Sequence, residues 1–127
     1  MTTRRLLLDT HAFIWWRADA PELGADAREA IAVADIVMVS AASAWEAAIK
    51  QALGKLRLPD SLAAGVHDSG FVELPITFGH AEDAAALPQH HNDPFDRMLV
   101  AQARYERLTL VTHDRRIEPY DLQILWT

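Results

Sequence analysis

The chain has 127 residues, half of them hydrophobic and 24% charged, the profile of one soluble globular domain long enough to bury a real core. Cysteine is absent, which excludes disulfides, thiolate metal sites and cysteine catalysis, so any bound metal must be held by oxygen or imidazole. The net charge of -6, with only 12 Lys and Arg, argues against blanket neutralisation of phosphates, unless several acids converge on a cation that offsets their charge.

In chain order, Met1-Thr2-Thr3-Arg4-Arg5-Leu6-Leu7-Leu8 is basic and then apolar, as a signal peptide begins. Asp9 ends the apolar run after three leucines, short of the ~7–15 residues of the usual apolar region. No run approaches the ~20 residues needed to span a bilayer, so a cytoplasmic protein without a membrane partner is expected. Arg5 to Leu8 reads as a buried strand and Thr10 to Arg17 as a helix. Gly24 to Ala34 is a second helix, and Ile36-Val37-Met38-Val39 a second buried strand. Ser43 to Leu53 is helical and stopped by Gly54; after the loop Lys55 to Pro59, Asp60 caps a helix running to Asp68. Phe71 to Leu74 is a short strand, and Gly79 to Leu87 a helix ended by Pro88. Gln89 to Asp93 is a polar loop, and Phe95 to Arg107 a helix with Phe95, Met98, Leu99 and Ala103 on one stripe. Leu108 to Thr112 and Leu122 to Leu125 are the last strands. Alternating strands and helices, with no repeat or linker, predict one α/β domain over residues 1–127 on a mostly parallel sheet. In such sheets ligands bind beyond the carboxyl ends of the strands.

Asp9 and Asp114 each follow a predicted strand, Glu46 lies on the helix after the second strand, and Asp96 lies in the first turn of the helix beginning at Pro94. Four carboxylates from separate segments can therefore meet at one end of the sheet. Brought together they repel one another unless a cation sits among them, and hard oxygen ligands select Mg²⁺ or Mn²⁺. Ions held this way hydrolyse phosphodiesters. Each acid also has a plain structural reading. Asp9 before a helix is a fitting N-cap, and Asp114 before Arg115-Arg116 a fitting turn or cap residue. Glu46 sits among Ala44, Trp45, Ala47, Ala48 and Ile49, where a glutamate is seldom buried without a partner, although a solvated face remains the alternative. Asp93-Pro94 is a helix start, so capping is assigned to Asp93 and metal binding to Asp96, with Asp93 as an extra ligand left open.

The blocks Leu6-Leu7-Leu8-Asp9-Thr10-His11-Ala12, Ser43-Ala44-Trp45-Glu46-Ala47-Ala48-Ile49-Lys50, Asp93-Pro94-Phe95-Asp96-Arg97-Met98-Leu99-Val100-Ala101-Gln102-Ala103 and Leu110-Val111-Thr112-His113-Asp114 occur in this order. Together they resemble the PIN-domain family, and within it the VapC-type toxins. The resemblance implies a three-layer α/β/α sandwich and a Mg²⁺- or Mn²⁺-dependent endoribonuclease that cuts RNA by metal-activated water. It also implies a homodimer and inhibition by a VapB-type antitoxin. The family's acidic positions fall on Asp9, Glu46, Asp96 and Asp114, with Thr10, Ser43 and Thr112 at small hydroxyl positions that support the site. On this reading Asp9, Glu46 and Asp96 hold one ion, and Asp114 completes its shell or supports a second.

Arg97, Arg104, Lys50, Lys55, Arg57, Arg115 and Arg116 are candidates for RNA-backbone contact, the last pair foremost; solvated charge, or for Arg97 a pairing with a site acid, is the plain alternative. His90-His91 beside Asp93 lacks the four-ligand spacing of a zinc site. His11 either orients the site or packs. Trp15, Trp16, Trp45 and Trp126 are read as core or interface in preference to base-stacking residues. Two other readings share this pattern: a DNA-directed nuclease, and a PIN-like binding module without catalysis. A phosphate-receiver domain does not, because Ser40-Ala41-Ala42 follows the second strand where a phosphoacceptor aspartate would stand.

Overall fold

A computed structural model of the protein describes residues 4–127; Met1, Thr2 and Thr3, which open the basic start, lie outside the described residues. Leu6, Leu7 and Leu8 are completely buried, as a strand covered by helices on both faces requires. The chain runs through β1 (Arg5–Leu8), α1 (Thr10–Ala18), α2 (Ala25–Val33), β2 (Ile36–Ser40), α3 (Ala41–Ala52), α4 (Leu62–Asp68), β3 (Val72–Leu74), α5 (Phe78–Ala86), α6 (Pro94–Glu106), β4 (Thr109–Thr112) and β5 (Ile124–Trp126). Short 3-10 turns form at Pro21–Leu23 and Arg115–Ile117. No helix among the described residues is long and apolar enough to cross a membrane.

The strands form one sheet in the order β3-β2-β1-β4-β5, with every pairing parallel. Side chains alternate across it. Leu6 and Leu8 pack with Phe13, Ile31, Val37, Val39 and Val66 on one face. Leu7 packs with Leu99, Val100, Leu110, Ile117 and Tyr120 on the other. The result is the expected three-layer α/β/α sandwich, and truncating a central leucine to alanine costs about 2–5 kcal/mol. Register decides where chemistry can occur. Leu8 is level with Val39 and with Val111, so the next residues, Asp9, Ser40 and Thr112, share one edge. Strand order also reverses at β1, with β2 on one side and β4 on the other. That reversal opens a crevice at the carboxyl ends of the strands.

Three helix starts differ from the sequence expectation because a neighbouring hydroxyl takes the cap. Ser40 caps α3 by accepting from the Ala42 N–H at 3.0 Å, which leaves Ser43 inside the helix and buried. Ser61, not Asp60, caps α4 by accepting from Ala64 N at 3.1 Å, and Asp60 pairs with Arg17 at 3.5 Å. Thr77 and His80 cap α5 reciprocally, so it begins at Phe78 rather than Gly79. The last strand is Ile124–Trp126, shifted from Leu122 to Leu125. Gly54 adopts φ 72°, as the stop after α3 requires.

Candidate metal centre

Asp9 follows β1 and caps α1, its Oδ1 accepting from the Ala12 N–H at 2.7 Å. Asp9 therefore caps a helix and also lines the cavity described below. Thr112 ends β4; its hydroxyl donates to the Asp9 carboxylate and accepts from the Asp114 N–H at 3.1 Å. Asp114 caps the turn at Arg115–Ile117, and its two oxygens accept from Arg116 Nε at 3.0 Å and Nη2 at 2.8 Å. Asp93 caps α6 by accepting from the N–H groups of Phe95 and Asp96 at 2.8 and 3.3 Å, with Pro94 in the first turn. That cap places Asp96 at the third helical position. Glu46 is buried in the second turn of α3, with Thr10 Oγ1 donating to Oε1 at 2.6 Å and Lys50 Nζ to Oε2 at 3.0 Å. Ser43 completes this arm through a 2.9 Å hydrogen bond with Thr10.

Asp9, Glu46, Asp96 and Asp114 line one cavity of about 370 Å³, together with Asp93, Lys50 and Arg116. Wider hollows of about 480 and 410 Å³ elsewhere, around Tyr120 and Leu108, include none of the four acids. The charges inside the acid cavity are unevenly compensated. Burial raises the Asp9 carboxyl, and the hydrogen bonds from Thr112 and Ala12 oppose this only in part. Asp96 is pushed up to about 7, first by burial and then by the charge of Asp93, with Asp9 and Asp114 adding to the rise and His91 opposing it. Asp114 goes the other way, held well below the usual carboxylate range chiefly by Arg116. A buried carboxyl kept from ionising by its anionic neighbours is what a bound cation would relieve. The donors are all carboxylate oxygens, which fits a hard divalent ion.

The structure adds one residue that the sequence reading set aside. His91 is 5% exposed, and its Nε2 donates to Asp114 Oδ2 at 3.1 Å while standing 2.9 Å from Asp96 Oδ2. Its ligand atom and those of Asp96 and Asp114 lie within 4.8 Å of one another. His90 turns away to the Tyr120 ring, 5.0 Å between centroids, so the pair does not act as a unit. Zinc-type spacing says nothing of a single histidine such as His91. The usable signal is its position two residues before the N-cap of the helix that carries Asp96.

Arg97 is also corrected. It pairs with no site acid, because α6 turns it away from the cavity, and its guanidinium donates to the carbonyls of Pro88 (3.0 Å), Ala84 (2.9 Å) and Leu87 (3.1 Å). Arg115 lies 4.0 Å above the Trp126 ring, Arg116 is engaged by Asp114, and Lys50 by Glu46. Trp16 packs half-buried against the core beside Phe71. Trp15 also meets that core and lies 4.8 Å from the His113 ring, while exposed His11 is 5.8 Å from both. Trp45 is not core: it is 63% exposed and meets the Phe95 edge at 5.3 Å.

Residues 6–122 match the family model described as PIN domain. The chain is 37% identical over 128 residues to Ribonuclease VapC22 of Mycobacterium tuberculosis, covering 94% of this chain and 93% of that protein. Its fold is similar to that in the crystal structure of VapBC2 from Rickettsia felis bound to a promoter DNA fragment, with TM-score 0.69, 11% identity, and coverage of 95% of this chain and 97% of that one. It is similar also to a toxin–antitoxin complex from Klebsiella pneumoniae, with TM-score 0.68, 20% identity, and coverage of 94% and 95%.

Proposed function

The chain belongs to the PIN-domain family, and from that premise we propose that it is a metal-dependent endoribonuclease, the toxin of a VapBC-type toxin–antitoxin pair. One observation carries the reading: four carboxylates, two just after strand ends and two from the opening turns of helices, line a single cavity, and the Asp96 carboxyl there is raised to about 7 by burial and by its anionic neighbours. The ribonuclease relative supports RNA as the substrate class.

Asp9, Asp96 and Asp114, with Glu46, are the residues that would hold Mg²⁺ or Mn²⁺. When bound, such an ion activates water and stabilises the oxygen that leaves phosphorus. The chain's own groups do the rest. Thr112 and the α1 N-terminus hold Asp9, Thr10 and Lys50 hold Glu46, and the α6 cap at Asp93 fixes where Asp96 begins. Arg116, 69% exposed at the cavity edge and held there by Asp114, would be the side chain that meets an RNA phosphate. We place the protein in the cytoplasm, as a homodimer held inactive by its VapB-type antitoxin; the fold shared with toxin–antitoxin structures is compatible with this.

The test is cleavage of a mixed RNA pool by antitoxin-free protein with Mg²⁺, with Mn²⁺ and with chelator, beside Asp96→Asn. Cutting that needs the ion and vanishes in the variant supports the proposal. Equal cutting by the variant, or cutting in chelator, sinks it.

A further inference from the structure

His91 is held from every side. Its backbone N–H donates to the Tyr120 hydroxyl oxygen at 3.0 Å, and Tyr120 donates in turn to the Pro88 carbonyl at 2.9 Å. Arg97 donates to the His91 carbonyl at 3.4 Å and to Tyr120 Oη at 3.3 Å, besides closing the loop through Ala84, Leu87 and Pro88. The ring is fixed as well. The Asp93 N–H points at His91 Nδ1, 3.2 Å away. A backbone N–H can only donate, so Nδ1 is the acceptor and the ring proton belongs on Nε2. Nε2 is the nitrogen that faces Asp114 at 3.1 Å and Asp96 at 2.9 Å. A protonated Nε2 has no lone pair to give a cation; it is a donor set between two carboxylates.

Asp96 and Asp114 come from distant segments, and two carboxylate oxygens held within 4.8 Å splay apart unless something positive lies between them. We infer that His91 is a positioning residue of this centre: its Nε2–H, fixed by the Asp93 amide and the Arg97–Tyr120 clamp, draws Asp96 and Asp114 into convergence before an ion arrives, and His91 does not itself ligate the ion. The inference rests on the four-acid reading of the cavity. Groups around a metal site that orient its ligands this way change metal affinity by about 10–100-fold when removed.

The experiment has two arms on the full chain, free of antitoxin. Long-range proton–nitrogen NMR spectra read the His91 tautomer without ion and with Mg²⁺, and calorimetry reads Mn²⁺ affinity for wild type, H91A, H91Q and D96N, each checked by thermal melting. The expected result is an Nε2–H ring in both spectra, Mn²⁺ affinity lowered about 10–100-fold in H91A, and most of that loss recovered in H91Q, whose amide N–H replaces the donor. Conversion of the ring to the Nδ1–H form on adding Mg²⁺ makes His91 a ligand and overturns the inference. So does H91A binding Mn²⁺ as tightly as wild type, or more tightly. If H91A melts too low to titrate, the tautomer and the H91Q affinity decide alone, and H91Q as weak as D96N overturns it. Failure of the underlying reading looks different: wild type and D96N then bind Mn²⁺ equally poorly, and both proposals fall together.

Discussion

Glu46 and Asp96 line the same cavity, yet the protein surrounds them with opposite partners. Glu46 has a hydroxyl on one oxygen and an ammonium on the other, from Thr10 and Lys50. Asp96 has burial and three neighbouring carboxylates, with one histidine N–H nearby, and its carboxyl rises to about 7. The Glu46 arm is compensated by the fold itself. The Asp96 arm is compensated only when something positive enters from outside. In a cavity of four acids, the number of carboxylates says less about where a cation is needed than the partners each already has.

The largest expected effect breaks the comparison at its charged arm. Asp96→Asn removes one repelling charge and should abolish ion-dependent RNA cleavage while leaving the melting temperature of the metal-free protein unchanged or higher. Asp9→Asn should do the same, since Asn also caps helices well. Cleavage by both variants at the wild-type rate, in a gel assay of a mixed RNA pool, overturns the assignment. Next comes the ion's effect on stability. Bound at the proposed site, Mn²⁺ at a hundred times its dissociation constant would add about 2.7 kcal/mol, a shift of several degrees for a domain of this size. Scanning calorimetry should find that gain lost in Asp96→Asn and largely kept in Glu46→Gln. An equal loss in both variants would erase the distinction between the arms.

The pH dependence sharpens it further. Unfolded, Asp96 titrates near 4; folded and without ion it titrates at about 7. Between those values the folded protein binds the extra proton, so Asp96 makes metal-free stability fall as pH rises from about 4 to about 7. Asp9, raised by burial, acts in the same direction. Asp114 acts oppositely: its Arg116-lowered carboxyl contributes stability above about pH 4 that is lost on acidification. Mg²⁺ should reverse the slope between 4 and 7, because the ion favours the carboxylate and its uptake releases protons. Melting curves across that interval with and without Mg²⁺ measure this, and parallel curves would refute it.

Much of this arrangement was legible in the sequence, and the exceptions have physical causes. Asp9 and Asp114 could be placed because an acid directly after a buried strand in an α/β pattern falls at the crevice, and Asp96 because Asp93-Pro94 fixes the phase of α6. Helix starts slipped at Ser40 and Ser61, where two capping side chains stand within three residues and only tertiary packing chooses between them, and at Thr77, where a reciprocal cap with His80 starts the helix ahead of Gly79. Arg97 was misread, and the contacts of His91 were not legible, for a deeper reason. Neither has a local pattern that announces its role: His91 acts through Tyr120 and Asp114, 29 and 23 residues beyond it, and Arg97 through Tyr120 and the carbonyls of Ala84, Leu87 and Pro88. An arginine that closes a loop by donating to backbone carbonyls reads, in one dimension, like any surface charge.

The smallest expected effect is at the compensated arm. Lys50 sits four residues after Glu46 on α3, and its ammonium is about one-third exposed. Pairs of this kind on a helix contribute about 0.3–0.5 kcal/mol. Lys50→Met should therefore lower the melting temperature by no more than about 2–3 degrees, because Thr10 continues to donate to Glu46 at 2.6 Å and Ser43 continues to support Thr10 at 2.9 Å. The Mn²⁺ gain in stability should survive, since on the proposed reading the ion's main attraction would lie at Asp9, Asp96 and Asp114. Calorimetry of the variant with and without Mn²⁺ separates the outcomes. A small loss with the ion's gain intact means the hydroxyl arm carries Glu46 and the lysine only trims it. A loss of many degrees means Lys50 is what keeps a buried glutamate tolerable, and the Glu46 arm would then be as dependent on a single cation as the Asp96 arm.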